Sequence, residues 1–130
     1  MSSSHKPDGY STVSPYLIVD GASATIEFLI KVFGAVELRR FPDASGRLVH
    51  AEVLIDDSVV MIADSAEGWP PTCSYVHVYV TDIDATYQRA LKAGGIDPAR
   101  MKSVVFKASI EATNALMGGH VDVVATPMST

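Results

Sequence analysis

The chain reads as an α+β domain assembled from two strand-turn-helix units, and three features of the sequence carry that reading. The stretch Thr12–Ala35 first alternates and then takes a helical period. A second stretch of the same kind, Ser74–Gly95, follows about sixty residues later, which points to an internal duplication. Between the two lie VELRRF (36–41), LVHAEVLI (48–55) and SVVMIA (58–63), apolar segments separated by turn residues. At 130 residues, 48% apolar and 19% charged, the chain is long enough to close one core of its own.

Taken in order, residues 1–11 are rich in Ser, Pro and Gly and show no period, so they predict a flexible or loosely docked arm, with a single domain over 12–130. In YLIV, Tyr16 and Ile18 share one face and Leu17 and Val19 the other. Asp20-Gly21 breaks that alternation. Ala22, Ile26, Leu29 and Phe33 then recur at helical spacing, and Gly34 stands where a helix end favours positive φ. VELRRF ends at the turn PDASG (42–46). In LVHAEVLI, Val49, Ala51, Val53 and Ile55 face one way and His50, Glu52 and Leu54 the other. Asp56-Asp57 makes a two-residue hairpin loop to the returning strand 58–63. The first module is thus strand, helix and three strands over 12–64.

Residues 65–73 hold the only Trp and a Pro pair and form a linker. The second module, 74–130, opens with SYVHVYV, a TDIDA turn and the helix TYQRALKAGG. After about Gly94 the pattern changes. KSVVFK predicts a strand, ASIEATNALMGG a helix and HVDVVAT a strand, in place of the three strands a faithful repeat would supply.

The net charge of −5, with ten scattered Lys and Arg, argues against nucleic acid as a partner. A single cysteine, Cys73, cannot form an internal disulfide and fits a cytoplasmic location, and no thiolate zinc site can be built from it. The start of the chain has no apolar h-region, and no run is long enough to span a bilayer, so neither export nor a membrane is expected.

Residues 8–95 resemble the glyoxalase, bleomycin-resistance and dioxygenase superfamily, the vicinal oxygen chelate fold, through the blocks YSTVSPYLIVDGASATIEFLIKVFGAVELRRFPDASGRLVHAEVLIDDSVVMIAD and SYVHVYVTDIDATYQRALKAGG. That resemblance implies two βαβββ modules whose strands curl into a cup, commonly closed by dimerisation. The tail IDPARMKSVVFKASIEATNALMGGHVDVVAT is similar to a segment of the solute receptors of tripartite tricarboxylate transporters. The chain is therefore expected to be a chimera joined near Ala93–Ile96, without the family's eighth strand.

In metal-using members of the superfamily the ligands are His or Gln on the first strand, Glu on the fourth, His on the fifth and Glu on the eighth. These positions fall near Ser14, Met61 and Tyr75, none of them a usual ligand for a divalent ion, so no metal or other cofactor is expected. The resemblance instead implies a metal-free protein that holds a small hydrophobic or aromatic molecule in its cup, the expected contacts being Ser14, Tyr16, Trp69, Tyr75, His77 and Tyr79. His77, His50 and Glu52 are the candidate acid-base groups. Each also has a plainer reading: His77 as a hydrogen-bonded histidine, His50 and Glu52 as solvent-facing residues on a half-buried sheet. A metal-dependent lyase or dioxygenase, or a recombined chain without activity, are the alternatives. Uncovered strand edges lead to the expectation of a homodimer, with exchanged strands as one form of it.

Overall fold

The computed structural model describes residues 5–95, 103–107 and 120–127. Strand β1 (Tyr16–Val19) leads into helix α1 (Ala22–Phe33), followed by β2 (Val36–Pro42), β3 (Leu48–Ile55) and β4 (Ser58–Asp64). β5 (Ser74–Val80), α2 (Ile83–Lys92), β6 (Ser103–Lys107) and β7 (His120–Pro127) complete the described elements. The first four strands form a sheet in the order β1-β4-β3-β2, and the last three a sheet in the order β5-β7-β6.

β1 enters the core because one of its faces is apolar and is covered by α1: Leu17 and Val19 are buried against Ile26, Leu29 and Val32, with Ala51, Val53 and Ile62 from the neighbouring strands. The expected Asp20-Gly21 break has a partner that alternation cannot show. α1 has no side-chain cap of its own at Gly21, and the Asp64 carboxylate from the end of β4 takes the Gly21 and Ala22 N–H groups at 3.1 and 2.6 Å. The same carboxylate accepts Leu48 N–H at 2.8 Å, so one side chain ties the helix start to two strand ends. At the other end Gly34, with φ 68°, supplies the left-handed residue the sequence predicts, donating to Ile30 O while Ala35 N–H reaches Leu29 O.

Two expectations about β3 and its turn have different outcomes. The Asp56-Asp57 loop forms as expected, with Asp56 at φ 53°. Val49, however, does not follow Ala51 and Val53 inward. The β2–β3 register shifts between Phe41 and Pro42, placing an extra residue on β3, so Leu48 is buried and Val49 stands 46% exposed on the other face.

In the second module α2 is capped by the Asp82 side chain, which accepts Ala85 N–H, and closes with Gly94 and Gly95 N–H on Leu91 O and Ala90 O. Ala90 joins the common core, and the Arg89 guanidinium donates to Val32 O at 3.1 Å, tying α2 to α1. Both tail strands expected from the sequence are present, and β7 takes in its sheet the place that β4 takes in the first. β7 pairs parallel with β5 and antiparallel with β6, as β4 does with β1 and β3. The second module thus repeats the topology of the first, with three strands among the described residues where the first has four. The helix expected over 108–119 lies outside the described residues.

Candidate functional site

The face of the first sheet opposite α1 carries a continuous row. Tyr16 on β1 pairs with Met61 on β4, Met61 with Glu52 on β3, and Glu52 with Arg39 on β2. These four residues therefore span the sheet at strand spacing, about 5 Å apart. His50 precedes Glu52 by one pleat. Its ring reaches both ways: Nε2 lies 2.7 Å from Glu52 Oε2 and Nδ1 2.8 Å from the Tyr16 hydroxyl. The Tyr16 and His50 rings are tilted, with centroids 5.4 Å apart, and Phe41 flanks His50 at 6.3 Å.

Glu52 is the centre of this network and only 6% exposed. Besides His50 it accepts the Tyr10 hydroxyl at 2.5 Å, and Arg39 Nε lies 3.3 Å from it. Burial raises the Glu52 carboxyl pKa, but the hydrogen bonds from Tyr10 and His50 and the charges of His50 and Arg39 outweigh it, leaving it below the ordinary carboxylate range. The Tyr10 phenol shifts the other way, raised chiefly by donating to Glu52 and further by burial and the Glu52 charge.

The segment read from sequence as a loosely docked arm meets the sheet here. Tyr10 sits on Glu52, with Arg39 5.9 Å over its ring, and Ser11 Oγ accepts Val59 N–H and contacts Ser14 Oγ. Residues 5–7 and 10–12 roof a cavity of about 370 Å³ floored by Arg39, Glu52 and Met61.

A second cavity, of about 340 Å³, opens beside it. Tyr16, Ile18, Val49, Ala63, Arg47, Asp64 and Trp69 line it. Its walls come from β1, β3 with the turn before it, β4 and the linker, and the linker's geometry accounts for Trp69. Ala66 and Trp69 exchange backbone hydrogen bonds at 2.8 and 2.9 Å around Gly68, whose φ of 84° a β-carbon would strain. Past that turn Thr72 N–H donates to Ile18 O, holding the returning linker along β1. Trp69 remains 66% exposed at the rim. Arg47 is fixed by Nη1 on Asp64 O at 3.0 Å, with Nε 3.4 Å from Asp43.

Tyr16, His50, Glu52 and Trp69 thus come together around neighbouring cavities. Tyr75, His77 and Tyr79 form a second exposed face on β5, with the His77 and Tyr79 rings 4.9 Å apart edge to face. His77 and Tyr79 line a different cavity, with Val13, Pro15 and Ser58. Cys73 is half-buried just before β5. Tyr10, Arg39, Arg47, Ile18, Val49 and Ala63 were not singled out from the sequence. Charge alternation on an edge strand and a lone Arg after a turn carry no signal that would mark them.

The divalent ion used by some members of the resembled family does not fit the positions the family pattern assigns to it. Ser14 is bonded to Ser11, Met61 lies between Tyr16 and Glu52, and Tyr75 is 79% exposed. Among the described residues no group of three His, Cys, Asp or Glu side chains comes together to hold a metal.

The sheet order, the helix crossovers and this open sheet face define a protein of the vicinal oxygen chelate class. The chain belongs to the Glyoxalase/Bleomycin resistance protein/Dioxygenase superfamily, whose family model matches residues 11–127. The match runs through Ala93–Ile96, where the sequence pattern changes, and on to β7. Uncharacterised proteins of Mycobacterium bovis and of Mycobacterium tuberculosis H37Rv are each 42% identical over 96 residues, 63% of this chain. The chain spans 61% and 55% of the length of those two relatives. Similar solved structures include TioX from Micromonospora sp. ML1, at 22% identity and TM-score 0.54, covering 92% of this chain and 99% of that one. The fosfomycin resistance protein FosX from Listeria monocytogenes, complexed with Mn(II) and sulfate, matches at 18% identity and TM-score 0.59, covering 89% and 92%. At such identities the likeness is one of fold. Among the described residues no helix is long and apolar enough to cross a membrane.

Proposed function

We propose that the protein binds a small hydrophobic or aromatic molecule, without a metal, in the cavity between Tyr16 and Trp69. The observation that carries this reading is the wall itself: Ile18, Val49, Ala63 and two aromatic side chains line about 340 Å³, with Arg47 and Asp64 as its charged groups. That volume and mixture suit a small ring with one polar or anionic group. The metal-free part rests on Ser14, Met61 and Tyr75 at the family's ligand positions. A thermal-shift screen of small aromatic compounds, with and without chelator, tests it, since a ligand of the native state raises Tm. The expected result is stabilisation that survives the chelator. Stoichiometric divalent metal in protein purified without chelator would overturn the metal-free reading, and no stabilisation by any compound would overturn the binding one.

The same reading makes the protein a homodimer. Its support is edge strand β2, exposed along its length with Val36, Leu38 and Phe41 uncovered, and the exposed Tyr75 and Tyr79 on β5. Strand exchange at β5 to β7 is one form it would take, and sedimentation velocity showing monomer at high concentration would exclude both. A cytoplasmic location follows from the lone Cys73. The likeness of the tail to transporter receptors is a proposal about its descent only. The family match across 11–127 supports a tail that serves as this fold's own second module.

A further inference from the structure

We propose that residues 5–10 form a latched lid over the recess floored by Arg39, Glu52 and Met61, with the Tyr10 hydroxyl on Glu52 as the latch and Ser11 as the hinge. This does not depend on what the neighbouring cavity holds. From Ser11 onward the chain is built into the sheet: Ser11 Oγ accepts Val59 N–H at 3.2 Å, and Pro15 O accepts Met61 N–H at 2.9 Å. Residues 5–10 are all exposed or half-buried, so lifting them uncovers no core side chain. Their hold on the sheet is made by Tyr10, through its hydroxyl on Glu52 at 2.5 Å and its ring under the Arg39 guanidinium at 5.9 Å. The segment is also a preformed turn, with Tyr10 N–H on Pro7 O at 3.3 Å around Gly9 at φ 83°. Lys6 Nζ reaches across the hinge to Thr12 Oγ1 at 3.2 Å, but this contact is exposed and water competes with it. A segment fastened in this way opens at a far lower cost than the fold unfolds.

The latch is a phenol donating to an ionised, buried carboxylate, which is the strong kind of hydrogen bond. Closed, it keeps solutes from Glu52 and from the Met61 thioether beneath the strap. The groups that face Glu52 are Tyr10 from the strap, His50 from its own strand and Arg39 from β2. β4 presents the uncharged Met61, Tyr16 on β1 stands behind His50, and His5 and Lys6 line the same recess. Burial raises the Glu52 carboxyl, and the bonds from Tyr10 and His50 with the charges of His50 and Arg39 outweigh it, so it stays ionised at neutral pH. Protonation removes the charge that holds Tyr10. The lid therefore stays shut at neutrality and is released as pH falls through the folded-state value of Glu52, below the ordinary carboxylate range.

Met61 lies under the lid and is its own reporter. Hydrogen peroxide converts an accessible thioether to the sulfoxide, and mass spectrometry of the folded full chain gives the rate at Met61. Tyr10→Phe keeps the ring and removes the latch hydroxyl. Met61 is expected to oxidise roughly 10-fold faster in this variant, while amide exchange in β3 and β4, Val59 at the hinge included, stays as in the wild type. In the wild type the oxidation rate should climb as pH is lowered through the Glu52 range, and Tyr10→Phe, already unlatched, should lose that climb. Equal Met61 rates in the two proteins would overturn the proposal, as would a wild-type rate equal to that of methionine in a short peptide, which would mean that the recess is never closed. A faster rate accompanied by an equal rise in β3 and β4 exchange would also overturn it, since the variant would then be loosening the whole fold rather than opening a lid.

Discussion

The Tyr10 hydroxyl donates to Glu52 at 2.5 Å, so the segment before β1 is fastened to the same carboxylate that orients His50. Glu52 is depressed below the ordinary carboxylate range in the fold. A group whose pKa falls on folding contributes stability that is present above its unfolded pKa and is lost as pH drops through its folded one. The urea midpoint is therefore expected to fall as pH is taken from neutrality down through and below the carboxylate range. Glu52→Gln should flatten that fall. An unchanged pH dependence in the variant would show that the network does not act through this carboxylate.

Asp64 makes three backbone contacts at the α1 start and at Leu48. Asp64→Ala is expected to cost about 2 kcal/mol, the upper range for losing a helix cap. Equilibrium denaturation measures it, and a loss within error of zero would mean that solvent replaces the carboxylate without penalty.

How much of this could be read beforehand depends on range. The β1-turn-α1 unit and its Gly34 end are local, and residue period and turn chemistry show them. The Asp64 cap is not local: Gly21 and Asp64 are 43 residues apart in sequence, and only the parallel pairing of β1 with β4 brings them together. His50 and Glu52 were visible as a pair sharing a strand face. That Tyr16 joins them needs β4 placed between β1 and β3. The exposure of Val49 follows from a register shift, which alternation assumes away. The two tail strands are legible in their apolar runs, but the parallel pairing of β5 with β7 is not, since it joins segments more than forty residues apart in sequence.

Gly34→Ala places a β-carbon at φ 68° with nothing within 4 Å of it. The cost is therefore conformational alone, about 1 kcal/mol, and is checked by denaturation.

Ile62 is fully buried between α1 and the neighbouring strands. Ile62→Ala is expected to destabilise by about 2–5 kcal/mol, from lost burial and the cavity left behind. Val36→Ala on the exposed edge strand should change monomer stability by well under about 1 kcal/mol while weakening self-association, if β2 is the dimer edge.

Trp69 is the only tryptophan, so the chain's indole fluorescence reports directly on the rim of the proposed cavity. Titrating chelator-treated protein with phenylpyruvate or a related aromatic carboxylate is the most direct test of metal-free binding. A saturable change in Trp69 emission, weakened by Arg47→Gln and indifferent to added divalent ion, is the predicted result. A change that appears only once a divalent metal is restored, or none at all, would contradict it.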